Sequence, residues 1–575
     1  MARTLGEARR SQLVTTYGVG AIIAIEDESF MVAGLDRWDA SDQDLWIHEP
    51  RLERHCGVRH FILPAASGDD KRDDIPVVRF PRWYSCPECG TVDQFRVLAP
   101  DPDKNECGCG GALVPSRFVM VCEGGHIDDF PYRAWVHGRG AARDGKHDLK
   151  ITTLGLTASL RDIVVRCSCG ESRSMEGAFR RAALRDAIGC TANQPWLSRR
   201  DPDGCSRIPR VLQRGASNVW FSVMESAISI PPWSEDAFKA LNRYWEAIRY
   251  VPDAALPDVL ANMSLDQTSG YTVGELVEAA RERRDAENSS EEVSTDVIKE
   301  QEHAALTRGK AQRSGKQDFV CVPATTVTPA VAEVFESVMV VKRLREVRVL
   351  SSFTRVKEPE STDLEERLSP LATDQLPYLP AVEVIGEGIF VELAPERLAE
   401  WEAQSRLGHR VETLRANARE REQDRIPVLA PRISARLLLT HTLAHLLINQ
   451  WSLECGYPAA SLRERLYVTD HHAGLLIYTA TSDSAGSLGG LISQADPERL
   501  EPSLRSAIVA ASWCSSDPLC IESEPAGTDA LNLAACHACS LLPETSCEEM
   551  NLLLDRAVLI GAPGGIRGYF QDWVS

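Results

Sequence analysis

The sequence lacks the segments and motifs that mark membrane proteins and several common enzyme classes. No stretch of the 575-residue chain approaches the ~18–20 consecutive apolar residues that span a bilayer. A Walker A loop is missing, because the Gly-Lys pairs beginning at Gly145, Gly309 and Gly315 precede His, Ala and Gln. The G-x-S-x-G elbow of α/β-hydrolases is absent. These absences argue against a membrane-spanning protein, a P-loop ATPase and a serine hydrolase of that type.

Lysine is scarce, and negative charge predominates. Only ten of the 63 basic residues are lysine, which leaves 53 arginines, and the net charge is −20. So acidic a chain is not a bulk nucleic-acid binder, because duplex DNA is itself a dense anion. The apolar share of 43% and the charged share of 25% are typical of globular proteins. The length predicts roughly three to four domains.

Cysteine, in contrast, is abundant. An apolar run from Tyr17 to Ile25 lacks a small-residue cleavage pattern and leads into "EDES", so we expect a core strand there rather than a signal peptide. The expected compartment is then the cytoplasm, where thiols stay reduced. Seventeen cysteines, many in close pairs, therefore indicate metal binding rather than disulfides.

The first cysteine cluster has the spacing of a ribbon-like zinc site. Cys86 and Cys89 lie in "CPECG", and Cys107 and Cys109 lie in "CGCGG". Zinc takes four ligands in a tetrahedron, and two thiolate pairs on glycine-containing turns supply them. The second pair is C-x-C, so we expect a tighter turn there.

The second cluster leaves two ligand sets open. The first choice is a four-thiolate site of Cys167, Cys169, Cys190 and Cys205. In the rival set, Cys122 and His126 of "CEGGH" replace the last two of these. A lone histidine is more often a hydrogen-bonded structural residue than a ligand.

The third cluster lies near the C-terminus, in "CSSDPLC" and "ACHACSLLPETSC". Cys536 and Cys539 form a C-x-x-C pair, and Cys520 and Cys547 complete a predicted zinc site, with Cys514 as a competing ligand. The spacings together predict about two to three zinc ions per chain.

A histidine pair offers an alternative chemistry. His441 and His445 in "HTLAH" lie one helical turn apart, but Thr442 stands where a zinc peptidase has glutamate. We expect packed core histidines. A metal-dependent nuclease using them with His471 and Asp470 is one alternative function, and a purely structural scaffold subunit is another.

Two basic segments are candidates for DNA contact. Arginine beside aromatic residues can follow a phosphate backbone and stack on bases. The competing interpretation is a half-buried strand with a charged outer face. The candidate residues are Arg207, Arg210, Arg214, Lys342, Arg343, Arg345 and Arg348.

The changes in composition along the chain predict a multidomain α+β protein with zinc-ribbon-like N-terminal modules and a helix-rich C-terminal zinc-binding domain. The predicted regions are 1–230, cysteine-rich and zinc-binding; 231–318, a helical segment and charged linker; 319–430, a mixed strand and helix domain; and 431–575, the C-terminal zinc-binding domain.

Several blocks of sequence resemble a known family. The stretch "LLLTHTLAHLLINQWSLECGYPAASLRERLY" and the third cysteine cluster resemble the C-terminal zinc-binding domain of superfamily 2 helicases such as MrfA. The blocks "RRSQLVTTYGVGAII", "FPRWYSCPECG", "CEGGHIDDFPYRAWVH" and "RVLQRGASNVWFS" extend the resemblance to the DrmB family of DISARM anti-phage systems.

The resemblance implies a function that spacing does not. It implies a non-enzymatic accessory subunit that docks on a DrmA-like superfamily 2 helicase and helps to form or regulate a DNA-binding path. The helicase would carry the motor, and neither a membrane nor a small-molecule substrate is expected. The resemblance also assigns the C-terminal zinc ligands to Cys520, Cys536, Cys539 and Cys547.

Overall fold

The structure is a computed structural model, and it describes most of the chain. The described residues are 5–66, 74–138, 147–153, 159–242, 244–288, 293–311, 317–359, 364–421, 429–479, 489–522, 531–562 and 565–574.

Strands occur along most of the chain, and two of them are unusually long. The strands are β1 Ile22–Ile25, β2 Glu28–Val32, β3 Trp46–Ile47, β4 His60–Ile62, β5 Val77–Arg79, β6 Trp83–Ser85, β7 Thr91–Gln94, β8 Val114–Pro115, β9 Phe118–Val121, β10 Ile127–Asp129, β11 Leu149–Thr153, β12 Ile163–Cys167, β13 Ser172–Ser174, β14 Asn193–Gln194, β15 Arg199–Arg200, β16 Arg210–Gln213, β17 Phe221–Ile228, β18 Val320–Pro323, β19 Phe335–Thr354, β20 Tyr378–Leu393, β21 Leu462–Val468 and β22 Ala473–Thr479.

Helices are concentrated after residue 230. They are α1 Gln12–Thr15, α2 Pro50–Cys56, α3 Phe95–Leu98, α4 Tyr132–His137, α5 Asp236–Asn242, α6 Trp245–Ile248, α7 Leu256–Asn262, α8 Leu265–Ser269, α9 Val273–Asn288, α10 Thr295–Arg308, α11 Pro329–Val334, α12 Pro395–Glu402, α13 Ser405–Arg421, α14 Leu429–Arg432, α15 Ala435–Cys455, α16 Pro497–Ala511, α17 Ala557–Ile560 and α18 Gln571–Val574. The predicted α+β class is confirmed.

The chain divides into two compact units, each built from segments that are separate in sequence. Unit 1 contains residues 1–47, 56–225 and 348–382, and unit 2 contains residues 48–55, 226–347 and 383–575. These units cut across the four consecutive regions expected from the sequence. The reason is that three of the five dividing points fall inside β17, β19 and β20 and a fourth falls inside α2, so a change in composition along the chain does not mark them.

Unit 1 carries a six-stranded sheet, among the described residues, in the order β13-β12-β11-β7-β6-β8. Beside it in sequence, β9 pairs antiparallel with both β10 and β16. The core of this unit includes Val119, Trp196, Phe353 and Leu371. Short strands joined by tight turns bring cysteines from distant positions to neighbouring strand ends.

Unit 2 is organised around α15. Ser434 caps the helix by accepting the Leu437 N–H at 3.2 Å, and Gly456, with φ at +71°, ends it. The helix is buried on nearly all sides, because it packs on β21, β22 and α16. The apolar-rich stretch "ARLLLTHTLAHLLINQWSLECGY", which runs up to a glycine, predicts such a helix from sequence alone, and the structure confirms it.

The segment expected to be a charged linker is helical where the structure describes it. Ser294 caps α10, and Glu302 in the middle of α10 is buried against Arg465 of β21, with a contact of 2.6 Å. The N-terminal cap and the buried ion pair between Glu302 and Arg465 thus stabilise α10 as a packed helix despite its polar sequence. Residues 289–292 and 312–316 of that region lie outside the described residues.

None of the helices in the described residues combines the length and apolar character that crossing a membrane requires.

Candidate metal centres

The structure gathers cysteine, histidine and one glutamate into tetrads whose donor atoms, one per residue, lie within 4.8 Å of one another. We name them the ribbon site (Cys86, Cys89, Cys107, Cys109), the hairpin site (Cys122, His126, Cys190, Cys205), the edge site (His137, His147, Cys167, Cys169), the C-terminal site (Cys514, Cys520, Cys536, Cys539) and the helix site (His441, His445, Glu464, Cys547).

The sulfur separations fit zinc and not disulfides. A disulfide has an S–S bond of about 2.05 Å. In a tetrahedron with Zn–S bonds of ~2.3 Å, neighbouring sulfurs lie about 3.8 Å apart. The Sγ–Sγ distances given below for the ribbon, hairpin and C-terminal sites run from 3.5 to 3.9 Å, and all seventeen cysteines are free. The spacing of these thiols therefore fits a tetrahedrally coordinated metal ion.

The ribbon site contains the four thiols that the sequence spacing predicts. Cys86 follows β6, and its Sγ lies 3.5 Å from that of Cys109, while Cys89 and Cys107 are 3.9 Å apart. Each pair is on a tight turn: the Gly90 N–H donates to the Cys86 carbonyl at 2.8 Å. Hydrogen bonding to Thr91 lowers the pKa of Cys89 to about 6, which favours the thiolate form that binds metal.

The hairpin site combines residues from three parts of the chain. Cys122 and His126 lie at the facing ends of β9 and β10, with Sγ and Nδ1 3.5 Å apart. Because β16 pairs with β9, it brings the preceding Cys205 to 3.9 Å from Cys122, and Cys190 lies at 3.6 Å.

The environment of the hairpin site resembles that of a ligand set. Nε2 of His126 lies 3.0 Å from Asp201 Oδ2, an arrangement in which a carboxylate orients a metal-binding imidazole. Hydrogen bonding from Cys190 and from His126 lowers the pKa of Cys122 to about 4, although burial opposes the shift.

The edge site uses the remaining pair of the predicted second cluster. Cys167 ends β12, and β11 pairs with it so that His147, just before β11, places Nδ1 3.2 Å from Cys167 Sγ. His137, at the end of α4, and Cys169 complete the set. Burial opposes the shift, but hydrogen bonds from the Cys169 backbone N–H and from the His147 imidazole lower the pKa of Cys167 to about 6.

Both ligand sets considered for the second cluster are therefore wrong. The structure does not bring Cys167 and Cys169 to Cys190 and Cys205, nor to Cys122 and His126. Two centres replace the one expected, because strand pairing distributes the donors between them. The sequence did contain a signal for two sites, because the second cluster offers six cysteine and histidine donors and one tetrahedral site uses only four.

The C-terminal site includes Cys514 and not Cys547. Sγ of Cys514 lies 3.5 Å from Cys536, and Cys520 and Cys539 are 3.8 Å apart. Asp517 accepts the Cys514 N–H at 2.9 Å and so fixes this loop.

Arg556, fully buried, pairs with Asp517. The assignment of Cys547 to this site was wrong, because Cys547 lies beneath α15 in the helix site.

The four residues of the alternative nuclease centre occupy different environments. His441 and His445 are fully buried in unit 2. Asp470 and His471 are exposed in the turn between β21 and β22. The arrangement does not favour a solvent-facing reaction centre made of these groups.

Two of the predicted DNA-contacting residues of unit 1 have protein partners. Arg207 donates to the Glu366 carbonyl at 3.2 Å, and Arg210 pairs with Glu123 at 2.8 Å. Burial lowers the pKa of the half-buried Arg214.

Arg348, at the end of the second basic segment, is 9% exposed. In unit 2, Arg345 is 7% exposed, and its Nε donates to Glu383 at 2.7 Å. Lys342 is exposed, and Arg343 is half-buried. Arg345 and Arg348 were wrongly predicted as phosphate contacts, because burial excludes them from a DNA surface.

Comparison with known proteins gives matches to two family models, a curated protein and a solved structure. A family model described as the MrfA Zn-binding domain matches residues 443–540, and one described as a domain of unknown function (DUF8724) matches residues 9–221. The curated protein "DISARM protein DrmB" of Bacillus paralicheniformis is 32% identical over 510 residues, covering 85% of this chain and 90% of that protein. A crystal structure of the DUF1998 helicase MrfA bound to DNA overlaps 39% of this chain and 24% of that one, with 10% identity and a TM-score of 0.20.

The zinc-binding family model and the thiol-rich tetrads agree. Both indicate zinc, because tetrads of cysteine and histidine are typical zinc-binding sites. Zinc is therefore a cofactor of this chain.

Proposed function

Because the chain belongs to the DrmB family of DISARM proteins, we propose that it is a zinc-stabilised, non-enzymatic accessory subunit that docks on a DrmA-like superfamily 2 helicase in defence against phage. The helicase supplies the ATPase motor, in keeping with a sequence that has no Walker A loop. Reduced, metal-ready thiols suit the cytoplasm as the place of assembly.

One observation carries the docking role: large apolar side chains project from the loop of the C-terminal site. Trp513 is 71% exposed and Leu519 is 83% exposed. They precede Cys514 and Cys520, whose sulfurs belong to the same tetrad, so both side chains flank one centre. Val509, 50% exposed, lies one turn before Trp513 at the end of α16. We call these three residues the Trp513 patch.

The Trp513 patch has the character of an interface centre. Aromatic residues in well-packed positions dominate binding energy at protein interfaces. A metal-fixed loop presents such a residue with little loss of conformational entropy on binding, because the loop is already ordered. The role of the zinc is then to shape a surface for the partner.

The metal centres support a structural rather than a catalytic role. Each tetrad supplies four protein donors, whereas a catalytic zinc keeps one position open for water or substrate. The thiolates and imidazoles of this chain would hold the metal and orient the adjoining loops.

We assign DNA contact to the accessible basic residues within the assembled complex. Lys342 is exposed, and Arg207 and Arg210 are partly exposed. The net charge of −20 would limit indiscriminate binding by the isolated subunit. Crosslinking to DNA within the assembled complex tests this assignment. We expect the wild-type chain to crosslink and Lys342→Glu to reduce the yield. The absence of any crosslink would favour a purely structural scaffold.

Co-purification with the DrmA-like helicase tests docking. We expect the wild-type chain to bind, and Trp513→Ala to weaken binding about 30-fold, since a central aromatic residue contributes ~2 kcal/mol or more. The matched control is Tyr250→Ala, because Tyr250 is an equally exposed aromatic residue, at 79%, elsewhere in unit 2.

Binding unaffected by Trp513→Ala, with zinc content and folding unchanged, would exclude this patch as the docking surface. A wild-type chain that does not bind the helicase would contradict the docking role itself. DNA binding of each protein alone and together then measures what the subunit adds.

A further inference from the structure

Four buried donors converge beneath α15. His441 and His445 lie on one face of the helix, Glu464 lies on β21, and Cys547 lies after the C-terminal site. His441 Nε2 is 3.1 Å from Glu464 Oε1 and 3.2 Å from Cys547 Sγ. His445 Nε2 is 3.5 Å from the same Glu464 oxygen. The two imidazoles and the carboxylate are completely inaccessible to solvent.

The donor atoms are oriented toward one point by neighbouring groups. His445 Nδ1 donates to the Ser540 carbonyl at 2.7 Å, which leaves the lone pair of Nε2 facing the cluster. The Glu548 N–H donates to Glu464 Oε1 at 3.0 Å, and the Asn551 N–H donates to Cys547 Sγ at 3.1 Å. Backbone groups that hold the donors in this way are typical of metal ligands.

Three polar atoms of the cluster lack hydrogen bonds. Among the described residues, none forms a hydrogen bond with Glu464 Oε2, His445 Nε2 or His441 Nδ1, although all three atoms are buried. A buried acceptor without a partner is costly, and such atoms call for a bound ion or water. A cation between the four donors would satisfy His445 Nε2 and, when bound by both carboxylate oxygens, Glu464 Oε2.

We propose that His441, His445, Glu464 and Cys547 form a further centre for a divalent transition metal such as zinc, distinct from the C-terminal thiolate site. With Zn–N and Zn–O bonds of ~2.0–2.2 Å and a Zn–S bond of ~2.3 Å, donors of a tetrahedron are separated by about 3.3–3.6 Å. The three separations given above are 3.1 to 3.5 Å, close to this range.

The centre is closed and joins three elements. Four protein donors leave no open position, so it serves structure and not catalysis. Ser540, whose carbonyl orients His445, follows Cys539 of the C-terminal site directly. The helix site therefore couples the loop that carries the neighbouring site to α15 and β21.

Metal content and anomalous scattering test the proposal. We expect an anomalous peak above the zinc edge between the four donors in crystals of the unmodified protein. In solution, Cys547→Ser and Glu464→Gln each lower the zinc content by one equivalent. Cys321→Ser is the matched control, because Cys321 is also a buried thiol, hydrogen-bonded to the Leu306 carbonyl, and the variant keeps the wild-type zinc content.

A cobalt-loaded sample gives an independent readout. The visible spectrum of the wild-type chain should contain a component from a single-thiolate site that Cys547→Ser removes. The competing explanation is a metal-free ion pair between His441 and Glu464. No anomalous peak at these donors in the unmodified protein would overturn the proposal, whether or not the variants fold.

Discussion

At the scale of the residue, one thiolate determines whether the C-terminal site binds metal. Cys539 Sγ lies 3.7 Å from Cys536 and 3.8 Å from Cys520, so it contacts two of the other donors. Serine at this position is a poor zinc ligand. Structural zinc contributes on the order of 10 kcal/mol in small modules.

We therefore expect Cys539→Ser to lose one zinc equivalent and to lower the melting temperature of unit 2. Cys455→Ser is the control, because that thiol, at the end of α15, contacts the Gly490 carbonyl and lies in none of the named sites. Elemental analysis and thermal unfolding measure both effects. Retention of all zinc by Cys539→Ser would contradict the assignment.

Metal ligands could be assigned from the sequence only where the four donor residues of a site lie close together along the chain. The ribbon site was predictable because Cys86, Cys89, Cys107 and Cys109 lie on two short turns. The hairpin site was not, because the pairing of β9 with β16 brings together donors that are 83 residues apart. The histidines at one-turn spacing in "HTLAH" were the available signal for the helix site.

At the scale of the element, the closest approach of β20 and β22 depends on glycine. A Cβ added at Gly386 would lie 2.2 Å from the backbone oxygen of Thr479, and neither group can move freely in a paired sheet. Gly386→Ala should therefore destabilise unit 2 by about 1–3 kcal/mol, as overpacking does.

Gly408→Ala is the opposite case and serves as the control. Gly408 lies within α13, with no atom within 4 Å of an added Cβ. Alanine should stabilise this helix by about 0.5–1 kcal/mol, because glycine loses more backbone entropy. Chemical denaturation measures the change in the free energy of unfolding for both variants. A lower stability of Gly408→Ala as well as of Gly386→Ala would contradict the explanation based on close backbone approach.

The long helices and strands could be predicted from the sequence, but the tertiary contacts that they make could not. The apolar residues before Gly456 indicate a helix at α15, and the many β-branched residues of 335–354 and 378–393 indicate the strands β19 and β20. The polar sequence of α10 suggested a linker. Only the tertiary ion pair between Glu302 and Arg465 reveals why this segment packs.

At the scale of the whole molecule, candidate metal sites occur in both compact units. The ribbon, hairpin and edge sites belong to unit 1, and the C-terminal and helix sites belong to unit 2. A ligand that binds only the folded state stabilises it by mass action. Removal of metal should therefore weaken both units and not one alone.

We expect a strong zinc chelator to lower the melting temperature progressively, and added zinc to restore it. Magnesium should not restore it, because hard cations prefer oxygen ligands to thiolates. Thermal unfolding with parallel elemental analysis makes the measurement. An unchanged melting temperature after complete loss of zinc would contradict a stabilising role for these sites.

The discontinuous make-up of unit 1 has a consequence for its synthesis on the ribosome. Its core joins Val14 and Phe80 to Phe353, Leu371 and Val382, so the N-terminal thiols are translated long before that core can close. At ~5–20 residues per second, the 273 residues from Cys109 to Val382 take about 14 to 55 s to add. During that interval, early capture of zinc by the ribbon turns would give the N-terminal part of the growing chain a fixed local structure.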